Sequence, residues 1–189
     1  MKQITLTFLV FSALWSAPCS AKNETIILSE EHRIGIAVPD GYEYSSRRNE
    51  QGAIGVQLVD PGQKISLQVV FLPDPKGEIV GETGQKDFLA GVCQPYAEGS
   101  VERSYDFKPL ESRGTSGLYC HFTDATLAHS DKPPPAGEYL HVTSGVKVWS
   151  GYFLLFTLLS NDTTSKEYRT AFKLLQNSFD EKKPAGPLL

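Results

Sequence analysis

The stretch YFLLFTLLS, residues 152–160, constrains the fold more than any other part of the sequence. Apolar side chains occupy both its even and its odd positions, whereas a strand with one face in water alternates apolar and polar residues. Residues 138–149, just before it, are also typical of a strand, and Ser150 and Gly151 provide the turn between the two. We therefore predict a central strand that is covered on both faces, and we expect a bulge or a close backbone approach at Gly145.

Alternating apolar and polar residues predict further strands in antiparallel pairs. Residues 54–59 and 65–71 alternate on either side of the turn DPGQ, which makes this the clearest hairpin. The other predicted strands are a short pair within 24–38 and a pair within 104–125. Turn residues separate the members of each pair, so we expect a mainly antiparallel sheet.

Residues 84–99 have the spacing of an amphipathic helix, with one apolar stripe. The stripe consists of Phe88, Leu89, Val92 and Tyr96. Cys93 lies beside this stripe and is expected to face inward. Gly91 and Pro95 are poor helix formers, so the helix is expected to be weak and short.

Residues 164–179 form the strongest helical pattern in the sequence. Its continuous apolar stripe consists of Tyr168, Phe172, Leu175 and Phe179. Thr164 and Glu167 have the spacing of a capping box, which predicts where the helix begins.

The order of strands, helix, strands and helix predicts an α+β fold, a mainly antiparallel sheet with two packed helices. The helices must bury their stripes on a sheet that also contains a strand apolar on both faces. We expect a single α+β domain over residues 22–180, because that length suits one domain. Residues 181–189 have no apolar pattern, which predicts a disordered tail.

Residues 1–21 have the layout of a secretory signal peptide: a lysine near the start, an apolar run over 4–17 and small residues up to Ala21. The apolar run of about 14 residues is shorter than the ~20 that span a bilayer. Cleavage after Ala21 would remove Cys19. The alternative, a lipoprotein with Cys19 as its first residue, fits poorly because Pro18 precedes it. We therefore predict a periplasmic or secreted protein with no stable membrane insertion.

Cys93 and Cys120 remain after this cleavage. In an exported protein an even number of cysteines predicts a disulfide, here Cys93–Cys120. Two buried free thiols, or a catalytic thiol or metal site, are the alternatives. His121 adjoins Cys120, but adjacent residues on a strand point to opposite faces, so the two would not converge on one site.

Composition limits the class of partner. The chain has a net charge of −4, with 40% hydrophobic and 11% aromatic residues, which suits a packed globule rather than a disordered chain. The acidic balance argues against nucleic acid or an anionic membrane as the main partner.

Three stretches carry a resemblance to a known family: IGIAVPDGYEY, GYFLLFTLLSND and YRTAFKLLQNSF. With the order of elements over about residues 30–180, the chain resembles the PsbP-like, or DcrB-like, family of α/β/α sandwiches. The resemblance implies that fold and an accessory or binding role rather than an enzymatic one. It implies no site residues, because no family site motif is visible. Bacterial relatives with a lipid anchor differ from this chain, which lacks their lipoprotein signature.

The sequence contains no specific catalytic signature, so we assign no catalytic, cofactor-binding or metal residues. Gly-x-Ser-x-Gly is absent, and GTSG at 114–117 has the spacing of a turn. No phosphate-binding loop and no Cys-x-x-Cys occur. His121 and His141 could lie on neighbouring strands, but a metal would need both on one face and a third ligand.

The segment LAHSDKPPPAG, residues 127–137 and here called the proline loop, is the candidate interaction surface. Its candidate contact residues are His129, Asp131, Lys132, Pro133, Pro134 and Pro135. A segment stiffened by proline loses little conformational entropy on binding. The simpler interpretation is that this loop only connects two strands.

These observations favour an exported, non-catalytic binding or accessory protein that acts on an envelope or secreted protein, such as an inhibitor or immunity-type partner. A carrier that holds a small molecule or lipid in a cavity between sheet and helix is the first alternative. An enzyme of unrecognised type is the second.

Overall fold

The computed structural model describes residues 22–30, 32–112, 115–149, 151–177 and 179–182. The predicted signal peptide, with Cys19, lies outside these residues. The helices of the described chain are α1 (Glu82–Gly99), α2 (Ala125–Ala128) and α3 (Lys166–Asn177). Its strands are β1 (Lys22–Ile27), β2 (Arg33–Val38), β3 (Glu43–Arg48), β4 (Ile54–Val59), β5 (Ile65–Pro73), β6 (Lys108–Pro109), β7 (Ser116–Thr123), β8 (His141–Trp149), β9 (Tyr152–Ser160) and β10 (Asp180–Lys182).

Seven of these strands form one sheet in the order β3-β4-β5-β9-β8-β7-β6, and every neighbouring pair is antiparallel. The apolar strand β9 is in the middle, as residues 152–160 predicted. It pairs with β5 on one side and with β8 on the other. The α+β class, with a mainly antiparallel sheet and packed helices, is confirmed.

Each face of the large sheet is covered by a helix. On the face here called the α1 face, α1 packs against β7 and β8. On the opposite α3 face, α3 packs against β5 and β9. A second antiparallel sheet, β1-β2-β10, shares the apolar core of the α3 face. The sequence predicted β1 and β2 as strands but not their separation into a sheet of their own.

Coverage of β9 is uneven, so the prediction that both its faces are covered is wrong in part. Leu154, Phe156 and Leu158 point to the α3 face and are fully buried. On the α1 face Phe153 is buried, but Leu155 and Leu159 are only half-buried. The reason is that α1 lies over β7 and β8, which leaves the part of the sheet around β5 and β9 partly accessible.

Gly145 marks a close approach rather than a bulge. β8 pairs with both its neighbours in unbroken register through this position. A Cβ atom at Gly145 would lie 2.4 Å from Cζ of Phe156 and 2.5 Å from the carbonyl oxygen of Leu118. The absence of a side chain therefore allows the Phe156 ring to pack directly against the β8 backbone.

α1 is longer than predicted. It runs for 18 residues and includes both Gly91 and Pro95. Leu89, Cys93 and Ala97 are buried against the sheet. This tertiary packing compensates for the low helix propensity of glycine and proline.

The capping box predicted at the start of α3 is wrong. Ser165 caps the helix instead, because its Oγ accepts the N–H of Tyr168 at 3.1 Å. The Thr164 hydroxyl donates to Oδ1 of Asp162 at 2.7 Å. Glu167 reaches across to Lys64, with 2.8 Å between the charged atoms.

The last turn of α3 receives hydrogen bonds from two side chains outside the helix, the buried Lys147 and the half-buried Ser112. Lys147 is fully buried on β8, and its Nζ donates to the carbonyl of Leu175 at 3.1 Å. The Ser112 hydroxyl donates to the carbonyl of Gln176 at 2.8 Å. A cation at a helix C-terminus is favourably placed relative to the helix dipole. Phe179, predicted to belong to the helix, lies beyond its end with a φ of 61° and is buried.

Some element boundaries differ from the predictions. β3 was not predicted, because EYSSRR lacks an apolar alternation, and the predicted strand within 104–112 is reduced to β6. The predicted tail began at residue 181, but β10 extends to Lys182 and pairs with β2. Residues 183–189 lie outside the described residues.

The predicted Cys93–Cys120 disulfide is absent. Both residues are free thiols and are fully buried between α1 and β7. Their side chains contact one another, and this contact, together with burial, raises the pKa of the Cys93 thiol. The alternative of two buried free thiols therefore describes the structure.

Replacing Gly145 with alanine should lower the free energy of unfolding by about 1–3 kcal/mol, because the new methyl group overlaps Phe156 and the neighbouring backbone. Gly91→Ala is the matched control. Position 91 has nothing within 4 Å of a Cβ atom and lies within α1, so alanine should stabilise by about 0.5–1 kcal/mol. Urea unfolding monitored by circular dichroism measures both. Equal effects at the two positions would contradict the close approach.

Both thiols of purified residues 22–189 should be inert to a water-soluble thiol reagent in the native state, because neither is exposed. After unfolding in denaturant without reductant, both should react. The number of reactive thiols is measured by absorbance. An unfolded, unreduced sample with no reactive thiol would show that the disulfide forms after all.

Candidate functional site

The proline loop lies at one end of the large sheet, between the end of β7 and the start of β8. Its first two residues belong to α2, so the irregular part begins at His129. Asp124 caps α2 by accepting the N–H groups of Thr126 and Leu127, at 2.8 and 2.9 Å. All the predicted contact residues are exposed except Pro134, which is half-buried.

Hydrogen bonds fix the chain where this loop meets the sheet. The N–H of Asp124 donates to the carbonyl of Leu140 at 2.8 Å, which closes the base of the loop. Asn161, just after β9, accepts the N–H of Leu140 at 2.7 Å and donates to the carbonyl of Glu138 at 3.3 Å. The loop is thus exposed along its length and held at both ends.

Local bonds also order the interior of the loop. The N–H of Lys132 donates to Oγ of Ser130 at 3.2 Å, and Nδ1 of His129 contacts the carbonyl of Ala125. The N–H of Glu138 donates to the carbonyl of Pro135 at 3.0 Å, which closes the turn after the prolines. Proline restricts φ in the same region, so the loop has few alternative conformations to lose on binding.

Two histidines lie on the α3 face of β7 and β8, the strands that flank the loop. His121 on β7 and His141 at the start of β8 are diagonal neighbours, and their rings stack with centroids 5.3 Å apart at an angle of 28°. Nδ1 of His121 is 3.0 Å from Oγ1 of Thr143, and Nδ1 of His141 is 3.4 Å from Oγ1 of Thr123. The sequence correctly indicated neighbouring strands for this pair.

The hydroxyl of Thr143 links the histidines to α3. It lies 2.8 Å from the hydroxyl of Tyr168, which is in the first turn of that helix. A chain of hydrogen bonds therefore runs from His121 through the buried Thr143 to Tyr168. It holds the histidine rings, the sheet and the helix in one arrangement.

Burial controls the charge of this cluster. Burial, followed by the neighbouring imidazole of His141, lowers the pKa of His121. Burial also lowers the pKa of His141, against the opposing attraction of Glu102 and Asp162. Burial alone would raise the pKa of Glu102, but hydrogen bonds, first from the N–H of Thr123 at 2.9 Å, outweigh it and lower that pKa. Neutral histidines beside ionised carboxylates are the resulting state near neutral pH.

A third ligand for a metal is missing around the histidine pair. Within the described ranges, no three His, Cys, Asp or Glu side chains are grouped closely enough to hold a metal ion. The Nδ1 atom of each ring is paired with a threonine hydroxyl, so the two rings belong to the polar network described above.

A surface pocket of about 400 Å³ lies at the same end of the sheet, beside the start of α3. Tyr42, Asp60, Lys64 and Glu167 contribute to its walls. Burial, with the nearby charges of Asp60 and Glu167, raises the pKa of Tyr42 to about 12. Asp60 is buried, and its carboxylate is compensated by hydrogen bonds that it accepts from N–H groups of the turn, including that of Ile65 at 2.7 Å.

This pocket was not predicted from the sequence. The turns PDGY and DPGQ were recognised, and they supply one wall. Their approach to the start of α3 depends on tertiary packing, which no local pattern records. The interior between the sheet and α3, where the predicted cavity would lie, is filled by buried side chains such as Leu67, Phe156 and Leu175.

No protein-family model matches the chain, and no curated protein matches it. Among solved structures, the chain is similar to the solution structure of cyanobacterial PsbP (CyanoP) from Synechocystis. The match covers 85% of this chain and 93% of that one, with 12% sequence identity and a TM-score of 0.46. The resemblance to PsbP-like proteins thus has a counterpart in a solved structure. At this identity and TM-score we transfer neither function nor site residues from it.

None of the helices in the described part of the chain is long and apolar enough to cross a membrane.

Asn161→Ala should loosen the base of the proline loop, because it removes the acceptor of the Leu140 N–H and the donor to Glu138. We expect faster amide exchange at Leu140 and a loss of about 1 kcal/mol in the free energy of unfolding. Hydrogen exchange with mass spectrometry measures the first and urea unfolding the second.

Asn177→Ala is the matched control for this prediction. The exposed Asn177 amide donates to the Lys173 carbonyl within its own helix, at 3.2 Å. Its removal should change the stability by less than about 0.5 kcal/mol and leave exchange at Leu140 unchanged. If the two variants behave alike, Asn161 does not anchor the loop.

Proposed function

We propose that this protein is a non-catalytic binding or accessory protein of the cell envelope, and that the proline loop is its contact surface. The observation that carries the proposal is the combination of exposure and fixation in this loop. The contact residues other than Pro134 are exposed, while Asp124, Leu140 and Asn161 tie the ends of the loop to the sheet.

Fixation of the loop favours a contact role over that of a simple connection. A connection between two strands needs neither three consecutive prolines nor an asparagine that bridges two of its backbone groups. Such features lower the entropy of the unbound loop, which reduces the entropic penalty of binding. Aspartate and lysine beside the prolines offer both charges to a partner.

The expected location of the protein belongs to the same proposal. Removal of residues 1–21 would release a domain whose first residue, Lys22, begins β1. The domain would then act in the periplasm or outside the cell. Burial of both thiols is compatible with an oxidising compartment, since oxidants act on accessible thiolates.

The partner is expected to be an envelope or secreted protein. The acidic chain is unsuited to nucleic acid, and the sequence carries no catalytic motif that would favour an enzyme. The packed interior gives no specific support to a lipid carrier. We therefore give the binding role priority.

Gentle crosslinking in the native compartment tests this proposal, with residues 22–189 as bait and mass spectrometry of what is captured. A loop variant replaces residues 131–135 with a Gly-Ser sequence of equal length. A surface control carries Asp87→Ser and Gln94→Ser on the exposed side of α1. We expect the wild type and the surface control to capture a partner in stoichiometric amount. The loop variant should capture about tenfold less of this partner, which corresponds to a loss of ~1.4 kcal/mol of binding free energy.

The proposal would be overturned by equal capture with all three baits, which would place the contact elsewhere. No captured protein, with a reproducibly bound small molecule, would favour the carrier. Circular dichroism of each bait checks that the fold is retained.

A further inference from the structure

The two stacked histidines lie where the proline loop joins the sheet. His141 follows Leu140 directly, and Leu140 carries two of the bonds that close the loop. His121 precedes Thr123 by two residues, and the N–H of Asp124, the next residue, donates the bond to Leu140. A change in the separation of the rings would therefore act on both ends of the loop.

We propose that the His121–His141 pair makes closure of the proline loop depend on pH: protonation of both rings separates them and frees the loop from the sheet. The consequence for partner binding, namely weaker capture in acid, rests on the proposed function. The opening of the loop itself does not.

The geometry disfavours two positive charges. The ring centroids are 5.3 Å apart, so two imidazolium ions would repel one another at short range. Each Nδ1 already has a threonine hydroxyl as its partner, Thr143 for His121 and Thr123 for His141. Separation of the rings would therefore disturb the two hydrogen bonds that connect them to the ends of β7 and β8.

The surrounding charges accommodate one proton more easily than two. Glu102, after α1, attracts a proton to either ring, and Asp162, between β9 and α3, attracts one to His141. Lys108 on β6 opposes a proton on His121. From α3 the neighbouring group is the Tyr168 hydroxyl, which reaches the cluster through Thr143. Two carboxylates can thus stabilise the positive charge on the first ring to be protonated. A positive charge on the second ring would be repelled by that first imidazolium.

The direction of the pH effect follows from burial. Both histidines titrate below the ordinary pKa of 6.5, so the unfolded chain binds more protons than the folded one in mild acid. The neutral pair contributes its full stabilisation above pH 6.5, and this contribution is lost as the pH falls through the lowered pKa values. Loop closure should therefore weaken below about pH 6.5.

Hydrogen exchange of the loop-closing amides tests this without any partner. The N–H groups of Asp124 and Leu140 are measured in residues 22–189 at about pH 7.5 and pH 5, with correction for intrinsic exchange rates. In the wild type the corrected rate should rise about tenfold in acid, because the hydrogen bonds that close the loop open more often there. In His141→Gln, which cannot become charged, the rise should be absent.

His32→Gln is the matched control, because the His32 ring packs on Tyr152, at the opposite end of β9 from the loop. In this variant the corrected exchange rates of the loop-closing amides should rise in acid as they do in the wild type. An equal response in His141→Gln would overturn the proposal, as would a wild-type loop that stays closed at about pH 5.

Titration of the wild-type histidine Cε1–H signals by NMR keeps the test independent of mutant stability. The signals of His121 and His141 should titrate below pH 6.5, in two separated steps. A single shared step for the pair at about pH 6.5 would refute the coupling. Because neither readout involves a partner, a failed capture experiment would contradict the proposed function and leave this inference intact.

Discussion

The pairing of β9 with β5 and β8 is the constraint on which the rest of the structure depends. It joins two antiparallel units of the sheet, β3-β4-β5 and β8-β7-β6, into one surface. α1 covers one face of that surface over β7 and β8, and α3 covers the other face over β5 and β9. It also brings Asn161, at the end of β9, within reach of the residues that close the proline loop.

The parts of the fold that local pattern determines could be predicted from the sequence. The hairpin of β4 and β5 follows from apolar alternation, and the middle position of β9 follows from its apolar residues at both even and odd positions. β3 escaped prediction because it is an edge strand, and the side chains of EYSSRR need not be apolar there. The length of α1 was underestimated because burial against the sheet outweighs the unfavourable propensity of Gly91 and Pro95.

The candidate site was predictable only in its outline. Three consecutive prolines among polar residues indicated an exposed, stiff loop. The bonds that close it, and the stacking of His121 on His141, depend on the register of β7 with β8 and on the position of Asn161. These pairings link residues far apart in the chain, and no local pattern records them. For the cysteines the long-range contact was predicted and the chemistry was not. Cys93 and Cys120 contact one another as expected, but they remain free thiols.

The middle strand of the sheet is also among the last to be synthesised. A chain that ends before residue 152 lacks β9, so the edges of β5 and β8 that β9 occupies would both be unpaired. These edges are long and rich in β-branched and other apolar residues, which makes them sites for pairing between chains. The sheet is completed only when β9 pairs with β5, some 80–90 residues earlier in the sequence. Incomplete chains are therefore more prone to aggregate than complete ones.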